Sequence, residues 1–471
     1  MTTTAASGAS LRRVHVVLVP GFAGFDALGQ VEYYAGTTDL FRRWQHARRR
    51  QPPHVVLHYF PTLPTAGVAT RAHRLRVYLA KRLARGEIAP EDTIALVGHS
   101  TGGLDIRRML NPPADHDPLH LDGGDHWRDA DATAVPVAHD QILRKVTRAV
   151  FVSVPQYGTN IADWVRAHTT LRRAVIAEFQ AAVEGARLRH LEQAMSALLT
   201  QVARLTGGPD LVLAARDALD ETQATTADPT VQADAQEAGS QLRLWLAHAA
   251  DDFGAIDDLA SYTQPPPGST SPAHHDETAR VAERALWEAH DISTMSIATI
   301  ARRAYRFDHA AVAAPLSLLD PGTWPNPRNT LDARAMDVSY LLAYRACAGG
   351  HFAIPPPVAD LCTDINRFDT RMFDPAQLDP DGPAPGTPLA VWDNDGIVNT
   401  ASMLWPDHEN TMLIAADHLD VVGHYAPRLT IPSPDPTGRR YAAYDALRSH
   451  THFTPGRFDD IWTAILDFCV S

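Results

Sequence analysis

A chain of 471 residues, 45% apolar and 21% charged, is not a disordered composition and has interior enough for one large α/β domain with an insertion, or for about two or three ordinary domains. Its 42 Lys and Arg against 55 Asp and Glu give a formal charge of −13, which repels phosphate backbones and anionic lipid surfaces and disfavours a nucleic-acid partner. The three cysteines, Cys347, Cys362 and Cys469, are too few for a disulfide framework; one Cys347–Cys362 bridge and free buried thiols are the two alternatives.

Residues 1–10 are small and polar and read as a disordered N-terminus. Arg12-Arg13 before Val14–Val19 imitates a secretory signal, but the apolar stretch ends at Pro20-Gly21 and reads as a strand. With no signal legible, the expectation is a cytoplasmic protein, or an exported one if this is a mature form. The basic cluster Arg42, Arg43 and Arg48–Arg50 reads as a solvated helix end before Pro52-Pro53. Over 11–165 the runs "VHVVLV" at 14, "HVVLHYF" at 54, "TIALVG" at 93 and "RAVFVSV" at 148 alternate with helical patterns, which predicts βαβ units around a mostly parallel sheet.

The stretch 112–140 is too polar for a core element and reads as a surface loop. Its His116, His120, Asp122, Asp125, His126 and Asp129 match no metal-ligand spacing. From 166 to 330 the chain turns Ala-, Leu-, Arg- and Glu-rich at helical spacing, strand signals nearly vanish, and "QPPPGSTSP" at 264 punctuates it as an exposed loop. Apolar runs return at "PLAVW" (388) and "TMLIAA" (411), where the sheet is expected to resume. The simplest assembly is one core, 11–165 plus 331–471, flanked by helices and interrupted by a helical cap or lid over 166–330. No internal repeat and no apolar run of the ~18 residues a membrane span needs is present.

Gly98-His99-Ser100-Thr101-Gly102 follows the third apolar run and precedes a helical pattern from Leu104 to Leu110. This G-x-S-x-G pattern suits a serine on a sharp strand-to-helix turn, where bulky neighbours two positions away would clash; Gly103 extends the small run. A serine hydroxyl needs a histidine to take its proton and a carboxylate to orient that histidine. In "VWDNDGIVNT" (391–400) and "LIAADHLDVVGHY" (413–425), Asp395 and His418 each fall just past an apolar run, where open α/β sheets gather their ligand-binding groups. Asp393 competes for the acid, and His424, His450 and His452 for the base. An oxyanion needs two backbone N–H donors. Thr101 is one candidate and Phe22, behind Pro20-Gly21, the other, unless Pro-Gly merely ends the strand.

Taken together these motifs resemble the bacterial true lipases of the α/β-hydrolase superfamily, of the Pseudomonas/Burkholderia and staphylococcal/Geobacillus types. "VPGFAGFDALGQVEYYAG" (19–36) is similar to their oxyanion segment, "GHSTGG" to their "HSQGG", and "SVPQYGTNIADWV" (153–165) to the segment after the following strand; "NDGIVNTASM" (394–403) and "DHLDVVG" (417–423) resemble their acid and base segments. The resemblance implies the α/β-hydrolase fold, with Ser100 as nucleophile, Asp395 as acid, His418 as base, and Phe22 and Thr101 as oxyanion donors. Pro20 stands where the family has histidine, and Gln156-Tyr157 where it has His-Arg. The chemistry needs no cofactor. The resemblance implies a structural calcium at the histidine loop, with Asp420 in the ligand position and Asp374 a second candidate, against Asp420 as a loop cap.

The expected function is hydrolysis of carboxylic esters, lipid or shorter-chain, through an acyl-enzyme on Ser100. An acyltransferase with an alcohol acceptor is the alternative on the same machinery, and a non-catalytic binding protein on this fold is a third reading. Tyr33, Tyr34 and Trp164 are either pocket-lining or core aromatics.

Overall fold

The computed structural model describes residues 12–22, 24, 27–28, 31–48, 53–111, 139–167, 254–261, 277–301, 344, 347–350, 352–365, 368, 388–404, 410–425, 429–432, 440–443, 449, 451 and 453–471. Six strands form one sheet: β1 Arg13–Val19, β2 His54–Tyr59, β3 Thr93–His99, β4 Val146–Val152, β5 Ser293–Ile300 and β6 Thr411–Ala415. They lie in the order β2-β1-β3-β4-β5-β6, and every pairing is parallel. Two antiparallel ribbons, Ala27–Leu28 with Val31–Glu32 and Leu429–Pro432 with Arg440–Ala443, stand apart from it.

Helices cover both faces, which is why the strands read as near-continuous apolar runs rather than alternating ones. Val14, Val16 and Leu18 point to one face, with Ala95 and Val97, and pack with Leu40, Phe41 and Trp44 of α1 (Thr37–Ala47) and with Phe458, Ile461, Trp462 and Ile465 of the C-terminal helix Pro455–Val470. Val17 and Val19 point to the other, with Ile94 and Leu96. That face carries Leu75 and Leu79 of α2 (Val68–Ala84), Leu104 and Met109 of α3 (Thr101–Leu110), and Trp287 of the helix Glu277–Ala289. This is the expected α/β-hydrolase fold, a parallel sheet flanked by helices.

Two elements differ from the expectation. Ser293–Ile300, read as part of the helical segment 166–330, is a strand between β4 and β6. Its Ser, Thr and Ala residues break up any apolar run, yet Ser296, Ile297, Ala298, Thr299 and Ile300 are buried. Conversely, Pro388–Trp392 is not a strand, because Ser293–Ile300 occupies the place between β4 and β6; Leu389 packs into a satellite core and its N–H donates to the Cys362 carbonyl (2.8 Å). Residues 168–253, 262–276 and 302–330, the bulk of the expected cap, lie outside the described residues, as do residues 331–343 of the expected core, residues 1–11 and the polar stretch 112–138 with its His and Asp residues.

Cys347, Cys362 and Cys469 are free and buried, so the bridge alternative falls and the free-thiol one stands. No described helix is long and apolar enough to cross a membrane.

Candidate active site

Because all six strands run the same way, the loops after β1, β3, β4, β5 and β6 meet at one edge of the sheet, the edge where open α/β folds place ligands. Ser100 follows β3 directly and stands at the N-cap position of α3. Its φ of 54° and ψ of −130° lie in a region that L-residues seldom occupy, which points to a functional constraint. The bend is held by Ser100 N–H to the Val152 carbonyl (2.9 Å) and Gly103 N–H to the Ser100 carbonyl (3.0 Å).

The flanking glycines are required by close approach. A Cβ on Gly98 would lie 2.6 Å from the Gly103 nitrogen, one on Gly102 2.2 Å from the Val19 carbonyl oxygen, and one on Gly103 2.2 Å from Val154 Cγ2. Helix α3 therefore starts directly against the end of β1. Its first N–H groups, Thr101 included, have no acceptor within the helix and form the positive end of its dipole beside Ser100.

After β1 the chain turns over Ser100: Gly24 N–H bonds the Gly21 carbonyl (3.0 Å), and a Cβ on Gly21 would meet Ser100 Cβ at 2.6 Å. Phe22 follows on this turn, half-buried. The turn's carbonyls are gripped by Arg71 of α2, whose Nη2 donates to Pro20 O (2.7 Å) and whose Nη1 donates to Gly21 O (3.2 Å). Arg71 is paired in turn with Asp105 of α3 (Nε to Oδ2 2.9 Å, Nη2 to Oδ2 2.7 Å), both side chains wholly buried. Pro20 thus contributes a carbonyl where it cannot contribute an N–H.

His418 follows β6, and its Nδ1 lies 2.7 Å from Asp395 Oδ2 with both groups buried. The His418 backbone N–H also donates to the Asp395 carbonyl (3.0 Å). Asp395 does not follow a strand of its own; its loop is laid across the ends of β4 and β5 by Ala301 N–H to Asn394 O (3.0 Å), Thr400 Oγ1 to Thr299 O (2.9 Å) and Gln156 N–H to Ser402 O (2.9 Å). Asp395 Oδ1 accepts from Ile397 N–H (3.1 Å) and Val398 N–H (2.8 Å), and Oδ2 accepts from Thr299 Oγ1 (2.7 Å) as well as His418. Thr299 is itself bonded to Ser153 Oγ (2.8 Å).

The His418 ring stands 4.6 Å from that of His99, the residue before Ser100. Ser100, Asp395 and His418 are therefore gathered at the same edge. The competitors have other partners: Asp393 Oδ2 accepts from Ala390 N–H (2.7 Å) as a turn cap, and His424 Nε2 meets the Tyr33 carbonyl (3.2 Å). Burial holds His424 down to about 4, neutral at physiological pH. His450 and His452 lie outside the described residues.

Asp420 has the geometry of the loop cap. Its Oδ2 accepts from Asp417 N–H (2.8 Å) and Thr451 Oγ1 (2.8 Å), while Asp417 accepts from Leu419 N–H, Asp420 N–H and Ser449 Oγ. Among the described residues no group of three or more His, Cys, Asp or Glu could hold a metal; Asp374 lies outside them.

Tyr33, Tyr34 and Trp164 are buried core aromatics. Tyr33 nonetheless reaches the site through its hydroxyl, described below. The sequence reading missed Thr299, Arg71 and Asp105. A polar residue near the end of a strand was the only signal for Thr299, and a helical Arg and Asp gave none.

No protein-family model matches the chain, and no curated protein does. Among solved structures the chain is similar to lipase 1 of Pelosinus fermentans, at 15% identity and a TM-score of 0.35 over 87% of this chain and 93% of that one. It is also similar to a metagenomic carboxyl esterase, at 14% identity and a TM-score of 0.30 over 98% of this chain and 77% of that one. Phospholipase PlaB of Legionella pneumophila matches at 15% identity and a TM-score of 0.21, over 32% of this chain and 27% of that one. Likeness at this level adds nothing to the strand order, on which the fold stands.

Proposed function

We propose that the chain is a serine hydrolase of carboxylic esters, a lipase or esterase. Ser100 Oγ attacks the ester carbonyl as His418 Nε2 takes its proton, with Asp395 holding His418 by Nδ1. The N–H groups of Phe22 and Thr101 receive the developing oxyanion. Collapse breaks the bond to the leaving alcohol, which takes the proton from His418 and leaves an acyl-Ser100 ester. Water, deprotonated by His418, then attacks that ester and releases the carboxylic acid, restoring Ser100. The net change is ester plus water to acid plus alcohol.

One observation carries the reading. A serine with φ 54° sits on a helix N-terminus between two glycines, at the edge where a buried His418–Asp395 pair closes at 2.7 Å. A structural serine has no need of such backbone geometry, and a structural histidine no need of a carboxylate with all its lone pairs so occupied. The chain between β4 and β5 is the proposed source of the lid and acyl pocket, and sets the chain-length preference.

The test is hydrolysis of p-nitrophenyl esters from acetate to palmitate by wild type and Ser100→Ala. The reading expects wild-type turnover with a chain-length optimum, and a loss of at least about 10³-fold in the variant. A folded wild type that turns over none of them contradicts it.

A further inference from the structure

Beneath the site lies a chain of buried hydrogen bonds that the reaction scheme does not use. Gly21 N–H donates to Tyr33 Oη (2.8 Å), Tyr33 Oη lies 2.6 Å from His99 Nδ1, and His99 Nε2 lies 2.9 Å from the His418 backbone carbonyl oxygen. The proton positions follow from chemistry alone. A carbonyl oxygen only accepts, so His99 carries its proton on Nε2. Burial, with His418 close by, pushes His99 well below the usual histidine range, so the ring is neutral and Nδ1 is a bare acceptor. Tyr33 therefore accepts from Gly21 and donates to His99. Burial raises the Tyr33 phenol, so it keeps its proton. Every donor in the chain has one acceptor, in one direction.

This chain joins three segments that must be in register for the proposed reaction. Gly21 precedes the oxyanion candidate Phe22, His99 precedes the nucleophile Ser100, and His418 is the base. Gly21 has no slack against Ser100, since a Cβ there would lie 2.6 Å from Ser100 Cβ and 2.7 Å from Tyr33 Oη. Side-chain bonds between groups this buried have few alternative partners, so their geometry is fixed by the pairing itself.

We propose that Tyr33 and His99 are positioning residues, a buried tie that sets the oxyanion turn, the Ser100 bend and the His418 backbone at their working distances. The tie rests on the ester-hydrolase reading above. It acts on the transition state rather than on substrate binding, because it touches only backbone groups of the reacting segments. Its neutral His99 also keeps a second positive charge away from His418 when that ring takes the serine proton.

The test is the rate at which a fluorophosphonate phosphonylates Ser100, measured to saturation, so that the maximal rate and the half-saturating concentration separate. Tyr33→Phe removes the hydroxyl, and His99→Gln keeps a donor near Nε2 while losing the Nδ1 acceptor. Each should lower the maximal rate about tenfold with the half-saturating concentration within about twofold, less than the loss of an oxyanion donor itself. Both cut the same bond, so the double variant should be no slower than the worse single one by more than about twofold. His99→Asn keeps an acceptor for Tyr33 but loses the donor to the His418 carbonyl, so it too should lower the maximal rate, through the other end of the tie. A wild type that does not label overturns the hydrolase reading and the tie with it. A labelling wild type with Tyr33→Phe equally fast, or with multiplying losses in the double variant, overturns the tie alone. Should Tyr33→Phe fail to fold, a His99→Gln variant that labels at the wild-type rate overturns it as well.

Discussion

Arg71 and Asp105 offer the sharpest separation of stability from activity. Both side chains are wholly buried, the guanidinium spans Asp105 and the carbonyls of Pro20 and Gly21, and Asp105 Oδ1 has no hydrogen-bond partner. Burial pushes the Asp105 carboxyl up to about 7 against the pull of Arg71, so the pair carries a large desolvation cost. Arg71→Met alone leaves an unpaired buried carboxyl and should destabilise the protein by about 3–5 kcal/mol, whereas replacing both residues with apolar ones of similar size is neutral or even stabilising in comparable pairs. Arg71→Met with Asp105→Leu should therefore recover most of the stability. It should not recover activity, because the turn proposed to carry the oxyanion donor Phe22 is no longer held at its carbonyls by Arg71; a displacement on the order of 1 Å costs up to about 100-fold in rate. The assay is urea unfolding alongside kcat and KM on a p-nitrophenyl ester. A double variant with wild-type kcat refutes Arg71 as the clamp of the turn, and one as unstable as Arg71→Met refutes the unpaired-charge explanation.

Thr299→Val keeps the shape of the side chain and deletes the hydroxyl that donates to Asp395 Oδ2, a bond to a charged acceptor worth about 1.5–3 kcal/mol. It should lower kcat about tenfold with little change in KM, and a kcat within twofold of wild type would contradict the role given to Thr299. Gly102→Ala drives a Cβ to 2.2 Å from the Val19 carbonyl oxygen, backbone against backbone, and should cost about 1–3 kcal/mol of stability or more together with most of the activity; a variant as stable and active as wild type would remove the close-approach argument. Acid should destabilise the fold before the carboxylates titrate. His424 is held at about 4 by burial against ~6.5 when unfolded, so between those values the unfolded chain binds a proton that the folded one does not, and stability falls as pH drops. The share of His424 is about 3 kcal/mol in full, of which about 2 kcal/mol falls between pH 7 and pH 5, and His15, His58, His99 and His139 are lowered in the same sense; Asp105, raised to about 7, opposes them and is outnumbered. A urea midpoint that does not fall between pH 7 and pH 5, or one whose fall is not shallower in His424→Gln, would show that the histidines do not carry this dependence.

The parts of this fold that were legible in the sequence are those whose signal is local. Val14–Val19, His54–Tyr59 and Thr93–His99 announced themselves as apolar, β-branched runs because a parallel sheet buries both faces of its strands. Gly98, Gly102 and Gly103 were readable because their spacing around Ser100 meets a steric demand, and the Cβ distances give that demand its numbers. Ser293–Ile300 escaped because its inward positions include Ser296, Ala298 and Thr299, small residues beside the site that make a weak strand signal next to an Ala-rich helix. Asp395 was picked from its place just past the apolar run at 388 and from its motif "NDGIVNT"; the run is not a strand, and the position of Asp395 comes instead from bonds to Ala301 and the Thr299 carbonyl far away in the chain. Arg71 with Asp105, and Tyr33 with His99, are pairings across 34 and 66 positions that exist only once the strands are ordered, so no window of sequence contains them.

Ser100 is proposed to carry the acyl group, and trapping that group on it is the direct test. Wild type and Ser100→Ala are mixed with p-nitrophenyl acetate, quenched in acid within the first turnovers, digested and mapped by mass spectrometry. Wild type should give a p-nitrophenol burst stoichiometric with enzyme and an acetyl group on the peptide containing Ser100, and Ser100→Ala neither. An active wild type whose acetyl group sits on another residue, or whose Ser100→Ala variant keeps the burst, would contradict it.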